Sequence, residues 1–253
     1  MKRDLSRVLF SAFVILTVMV FSGCAMEKRG ETTSPESYKQ ADIKLGGQLY
    51  DNWYKIKKVE VSGNHPAYPA IGKQKGAGTW RCKECHGWDY IGKDGRYKKG
   101  SHYTGIPGVY DARTKNPQEL YDAITNAEMK HDFSNYLTDG DTWALVQFMR
   151  EGLIDIGTAV NPDGSAKGNP NNGKSLFQST CAECHGATGN KVDFDEKKEG
   201  IQGVGYLAKD NPQETLHKIR WGHPGSDMPS AIVDDKLSNA GTIDILSYAQ
   251  TLK

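Results

Sequence analysis

The sequence predicts a helical protein made of two copies of one unit, and three observations predict it. The motif C-x-x-C-H occurs twice, as "CKECH" at 82–86 and "CAECH" at 181–185. The stretches "GIPGVYDARTKNPQELYDAI" (105–124) and "GIQGVGYLAKDNPQETLHKI" (200–219) match at a constant offset of 95 residues, a repeat long enough to be a whole structural unit. Finally, "DTWALVQFM" at 141–149 answers "GTIDILSYA" at 241–249. Each copy reads in the same order. An amphipathic helix comes first, "GGQLYDNW" (46–53) or "GKSLFQST" (173–180), followed by the C-x-x-C-H turn and a glycine loop. A second helix starts at Asn116 or Asn211, where Asn precedes Pro and a Glu stands two residues beyond it, a helix-start pattern. A further loop and a closing helix complete the copy.

The N-terminus sets the compartment. Lys2, Arg3 and Arg7 precede an uncharged stretch from Val8 to Gly23, the pattern of a secretory signal rather than of a spanning helix. The stretch ends in "FSGC" (21–24), which resembles a bacterial lipobox. That resemblance implies a signal peptide over 1–24, lipidation of Cys24, and a lipid anchor on the periplasmic side of a bacterial membrane. Ala25 and Met26 follow without an aspartate, which by the same resemblance favours the outer membrane.

With Cys24 set aside, four of the five cysteines remain, all within the two motifs. A zinc ribbon spaces its C-x-x-C pairs by about 15–20 residues, whereas 95 residues lie between Cys85 and Cys181. A redox dithiol needs neither the histidine nor a second copy. Covalent c-type haem explains every residue, because both thiols add to haem vinyl groups and the adjoining histidine binds iron. The sequence therefore predicts two covalently bound haems, one on Cys82, Cys85 and His86, the other on Cys181, Cys184 and His185. Hydrophobic residues make up only 37%, a modest supply that a haem in each core supplements. A net charge of +1 leaves no basic footprint for nucleic acid.

This order of elements resembles the class I cytochrome c domain over nearly all of residues 45–253. The resemblance implies an all-α fold of two tandem domains, each with its first and last helices crossing beside the haem. The expected boundaries are a flexible tether over 25–44, a first domain over 45–156, a linker over 157–170 in a stretch rich in Gly, Asn and Pro, and a second domain over 171–253. Loop insertions in the first domain carry Trp80, Trp88, Tyr90, Tyr97 and Tyr103. They serve either as an aromatic collar on the haem or as loop packing. Lys93, Arg96, Lys98 and Lys99 add positive charge there, suited to steering an acidic redox partner.

The far iron ligands follow from the loops. "GHPGSDMPS" (222–230) places Met228 before Pro229 and resembles the Met-Pro ligand loop of class I cytochromes, with His223 as the alternative. A thioether ligand raises the potential. The first loop, "NAEMKHDFSNYL" (126–137), has no Met-Pro pair and brackets Met129, Lys130 and His131. Helix counting favours Met129, whereas the missing proline tips the choice to His131. His65 and His102 are outside candidates, and Met149 suits core packing. The first haem is thus expected at lower potential than the second, so that electrons enter at the first and leave from the second. The functional expectation is an electron carrier serving redox partner proteins in a periplasmic respiratory chain. The alternative is a dihaem oxidoreductase resembling the thiosulfate dehydrogenases or peroxidases.

Overall fold

Glycine decides how the helices meet in both halves of the chain. In the computed structural model, which describes residues 35–195 and 197–253, helix α2 (Ile43–Lys57) crosses helix α5 (Asp139–Gln147), and helix α6 (Pro170–Thr180) crosses helix α10 (Asn239–Ala249). A Cβ on Gly46 would stand 2.0 Å from the carbonyl oxygen of Ala144, and one on Gly173 would stand 1.8 Å from that of Asp244. Each glycine therefore lets two backbones touch. The two crossings stand at matching places in the two repeats.

Between the crossing pairs lie α3 (Cys82–His86) and α4 (Pro117–Ile124) in the first half. Their counterparts in the second are α7 (Ala182–His185) and α9 (Pro212–Trp221), while α8 (Val204–Asp210) stands where the first half has a 3-10 turn, Tyr110–Thr114. The Asn-Pro starts form as the sequence implies. Asn116 Oδ1 accepts from the Gln118 N–H at 2.8 Å, and Asn211 Oδ1 accepts from the Glu214 N–H at 3.4 Å, satisfying donors that have no intrahelical partner. The protein is mostly helical, but the first ligand loop adds a two-residue hairpin. Its strands β1 (Thr125–Asn126) and β2 (His131–Asp132) pair antiparallel, with Asn126 opposite His131.

Two hydrophobic clusters form. The first gathers Leu49, Trp53, Leu145, Phe148 and Met149, and the second Phe177, Leu216, Ile245 and Leu246. Trp221, from α9, belongs to the first. A Cβ on Gly47 would meet the Trp221 ring at 2.5 Å, so here too a missing side chain sets the approach. Beside it, the buried His217 ring lies in a cage of Tyr50, Tyr90, Phe148 and Trp88, with centroids 5.1–6.1 Å away. The described residues fall within one compact unit.

Two segments are more ordered than their composition suggests. The expected tether over 25–44 is not flexible at its end, since Pro35–Lys39 is helix α1 and Tyr38 is buried in the first cluster. Gln147 Nε2 also donates to the Lys39 carbonyl at 3.2 Å. In the expected linker over 157–170, Ala159 and Val160 are buried in the second cluster. The Gln250 side chain accepts from the Ala166 N–H and donates to the Gly164 carbonyl, each at 2.8 Å. The aromatic insertions settle mostly as packing: Trp88, Tyr90 and Tyr97 are buried. Cys24 and the expected signal peptide lie outside the described residues. Among the described residues, no helix is long and apolar enough to cross a membrane.

Candidate haem sites

At the first motif, α3 carries Cys82, Cys85 and His86 on one short turn that Gly87, at φ 82°, terminates. The Tyr50 hydroxyl donates to the Gly87 carbonyl at 2.6 Å and ties the turn to α2. Nδ1 of His86 stands 2.8 Å from the Pro107 carbonyl oxygen. A carbonyl only accepts, so Nδ1 carries the proton and Nε2 holds the lone pair. Burial pushes this imidazole down to about 4, which keeps the ring neutral at physiological pH.

His131 has the same internal arrangement. Its Nδ1 stands 2.7 Å from the Ala123 carbonyl, in the last turn of α4, where carbonyls lack helical partners. The two rings are 6.3 Å apart between centroids and nearly perpendicular, at 87°. Imidazoles bound through nitrogen at about 2.0–2.1 Å on opposite sides of one metal have centroids about 6 Å apart. Phe133 packs edge-on to His131 at 5.1 Å and stacks on His65 at 5.2 Å.

The other candidates of the first loop stand elsewhere. Met129 caps the hairpin with its side chain 69% exposed, and Lys130, at φ 55°, is exposed beside it. Nδ1 of His65 accepts from the Ala67 N–H at 3.1 Å, which leaves Nε2 protonated and without a lone pair. Nδ1 of His102 bonds Glu84 at 2.8 Å and its ring stacks on Tyr97. Met149 is buried in the first hydrophobic cluster.

At the second motif, α7 carries Cys184 and His185 just after Cys181, with Gly186, at φ 78°, ending the turn. Met228 is half-buried on the loop that follows α9. Gly222, at φ 83°, lets the loop fold back, since a Cβ there would come within 2.6 Å of the Met228 carbonyl oxygen. Buried Ser230 pins the far side, its N–H donating to Asp234 at 2.7 Å. His223 is engaged otherwise: Lys218 Nζ donates to its Nδ1 at 2.8 Å.

Both motifs suit an apolar prosthetic group better than a reactive dithiol. All four motif cysteines are free thiols, and burial pushes those of Cys82, Cys85 and Cys181 up to about 12, away from the thiolate a reactive dithiol uses. Among the described residues, no three His, Cys, Asp or Glu side chains gather as a metal-binding group. The residues therefore fit haem, which Cys82, Cys85 and His86, and likewise Cys181, Cys184 and His185, would hold. Sequence reasoning missed the Pro107 and Ala123 carbonyls, because a backbone acceptor leaves no residue signature. It also missed the Tyr90–His217 contact between the repeats.

A family model described as "Cytochrome C oxidase, cbb3-type, subunit III" matches residues 168–247. No curated protein matches the chain. The matched segment, about a third of the chain, contains Cys181, Cys184, His185 and Met228, and this similarity, with the helical fold, supports a c-type cytochrome. A cytochrome c domain implies a covalently bound c-type haem with its iron and suggests electron transfer.

Proposed function

We propose that the protein is a membrane-tethered dihaem c-type cytochrome that carries electrons in a periplasmic respiratory chain. Haem iron supplies a one-electron couple. His86 and His131 would hold the first iron from its two sides, and His185 and Met228 the second. The observation that carries the reading is the His86–His131 pair, 6.3 Å apart and with each Nδ1 tied to a carbonyl. Both Nε2 lone pairs are thereby left free, and an iron held by both would suit electron transfer rather than substrate binding. Two imidazoles on one site and an imidazole with a thioether on the other order the potentials, low first and high second. The alternative, a dihaem oxidoreductase, needs an iron face that substrate reaches.

Three measurements test this on purified full-length protein. A pyridine haemochrome assay should return two covalent haems, one after Cys82→Ser or Cys181→Ser. Thiosulfate, nitrite or peroxide should bring no prompt substrate-dependent spectral change; turnover with any of them would establish the oxidoreductase. For the lipid anchor on Cys24, a Cys24→Ser protein should leave the membrane fraction, since a multi-acyl anchor gains about 0.8 kcal/mol per buried CH₂. Retention in the pellet would rule out lipid anchoring.

A further inference from the structure

The two C-x-x-C-H turns match, yet their histidines are held differently. Nδ1 of His86 bonds the Pro107 carbonyl at 2.8 Å. Pro107 lies in "GIPG" (105–108), and the counterpart "GIQG" (200–203) puts Gln202 at the matching place. There the carbonyl bonds within its own loop. Gln202 accepts from the Phe194 backbone N–H at 3.0 Å. Its own N–H donates to Asp193 Oδ1 at 3.1 Å, and that oxygen also accepts from the Asp195 N–H at 3.1 Å. Proline has no N–H and could not make the bond to Asp193. The interval from the histidine to this residue is also shorter, from 185 to 202 rather than from 86 to 107. The loop closes on itself instead of on the histidine. Nδ1 of His185 is buried without a hydrogen-bond partner.

An acceptor on the outer N–H of a ligating histidine fixes the ring and makes it a stronger donor to the metal. A stronger donor favours the ferric state and lowers the potential. We propose that Gln202 and Asp193 act as positioning residues that raise the potential of the second haem by withholding the backbone acceptor from His185. This rests on His185 being an axial ligand. It adds a second cause to the inequality of the haems: both histidines of the first site are tied to carbonyls, while the one histidine of the second is untied. A buried N–H left unpaired costs stability. The loop accepts that cost where it tunes an electron site.

The test uses the full-length, haem-loaded protein and compares Gln202→Pro, Asp193→Ala and Gln202→Ala. Redox titration gives the midpoint of each haem, and proton NMR of the reduced protein gives the exchange rate of the axial histidine N–H. Gln202→Pro restores the first repeat's sequence and removes the bond to Asp193. It should shift the ferrous-to-ferric ratio of the second haem about tenfold toward ferric at fixed ambient potential, about 59 mV for one electron. The His185 N–H should exchange more slowly, and the first haem should not move. Asp193→Ala removes the carboxylate that holds the Gln202 and Asp195 N–H groups, loosens the turn in which the Gln202 carbonyl accepts from Phe194, and should shift the midpoint the same way. Gln202→Ala keeps both backbone groups, loses only the side-chain bonds to the Glu199 and Gly200 carbonyls, and should shift the second haem's midpoint far less than Gln202→Pro. Unchanged second-haem midpoints in both Gln202→Pro and Asp193→Ala, with two haems present, would overturn the proposal while leaving His185 as ligand. So would a slowly exchanging His185 N–H in the wild type. Should His185→Ala leave the second haem's spectrum intact, the ligand assignment itself fails, and the proposal with it.

Discussion

Tyr90 donates its phenolic proton to His217, 2.8 Å away and 127 residues later in the chain. The donor is fixed by the other side of the ring. Nε2 of His217 bonds the Gly47 carbonyl at 2.9 Å and must carry the proton, so Nδ1 accepts. Both atoms of a buried imidazole are satisfied, each by the other repeat.

His217 is thus a tie between the repeats, and its truncation leaves two buried partners unpaired as well as a cavity. His217→Ala should destabilise the protein by about 3–4 kcal/mol in denaturant unfolding. Tyr90→Phe, which leaves one acceptor unpaired, should cost about 1–2 kcal/mol. The double variant should lose less than the sum, and strict additivity would mean that the bond contributes nothing.

Acid should act on this junction in two stages. Burial pushes His217 down to about 3, against an ordinary histidine near 6.5, so between those values only the unfolded chain takes up the proton. Stability should therefore fall with pH below about 6.5, by up to about 1.4 kcal/mol per unit from this group. His65 and His223, each pushed down to about 4 by burial, steepen the fall. Asp51 enters later. Burial would raise its carboxyl, but Lys218, at 2.7 Å, and Arg81 hold it at about 2. Its contribution, about 2 kcal/mol, is complete above the ordinary carboxyl value and is lost as pH falls toward 2. Unfolding curves from pH 7 to pH 3 should show a shallower slope above pH 4 for His217→Gln, and below pH 4 for Asp51→Asn.

The two candidates of the first ligand loop make opposite demands. His131→Ala should turn the first haem high-spin and let it bind added imidazole or carbon monoxide, whereas Met129→Ala should leave its spectrum unchanged. The Met-to-ferric charge-transfer band at the red edge of the visible should disappear with Met228→Ala alone. If Met129→Ala removes part of that band and His131→Ala does not, the two residues exchange roles.

The helix crossings admit no side chain at their closest points. Gly46→Ala or Gly173→Ala drives a methyl into a backbone carbonyl, and overpacking of this kind costs about 1–3 kcal/mol, at times more. Thermal melting should show the loss for each variant, while Gly140→Ala, whose Cβ meets only Thr138 Oγ1 at 3.8 Å, should not show it.

What the sequence made legible was local. Asn116 and Asn211 cap their helices through side chains that reach two or three residues on, within range of a short motif. The motif turns are equally short-range, and the repeat shows as one stretch recurring at a fixed offset of 95 residues. The junction was not legible for a corresponding reason. On α9, Leu216 and Ile219 face the second cluster while Gln213, His217 and Trp221 form another buried face, and that second face is too polar to read as core. Its partners, Gly47 and Tyr50 on α2 and Tyr90 beyond the first motif, lie far back in the chain. A helix with two opposed non-lysine faces was the available signal. The ordered ends at Tyr38 and Ala159 were hidden by their neighbours, since one or two buried residues do not change the composition of a polar stretch.

The seat of Trp221 against Gly47 has a consequence in time. A chain made from its N-terminus presents α2 long before α9 exists, so the first hydrophobic cluster must wait for a residue 174 positions later than the glycine it covers. Contacts of such separation form late, because the intervening loop must be closed first. Docking of α9 is then expected among the last steps of folding. Until it happens, α2 carries an uncovered aromatic socket that a chaperone, or a second unfinished chain, can occupy.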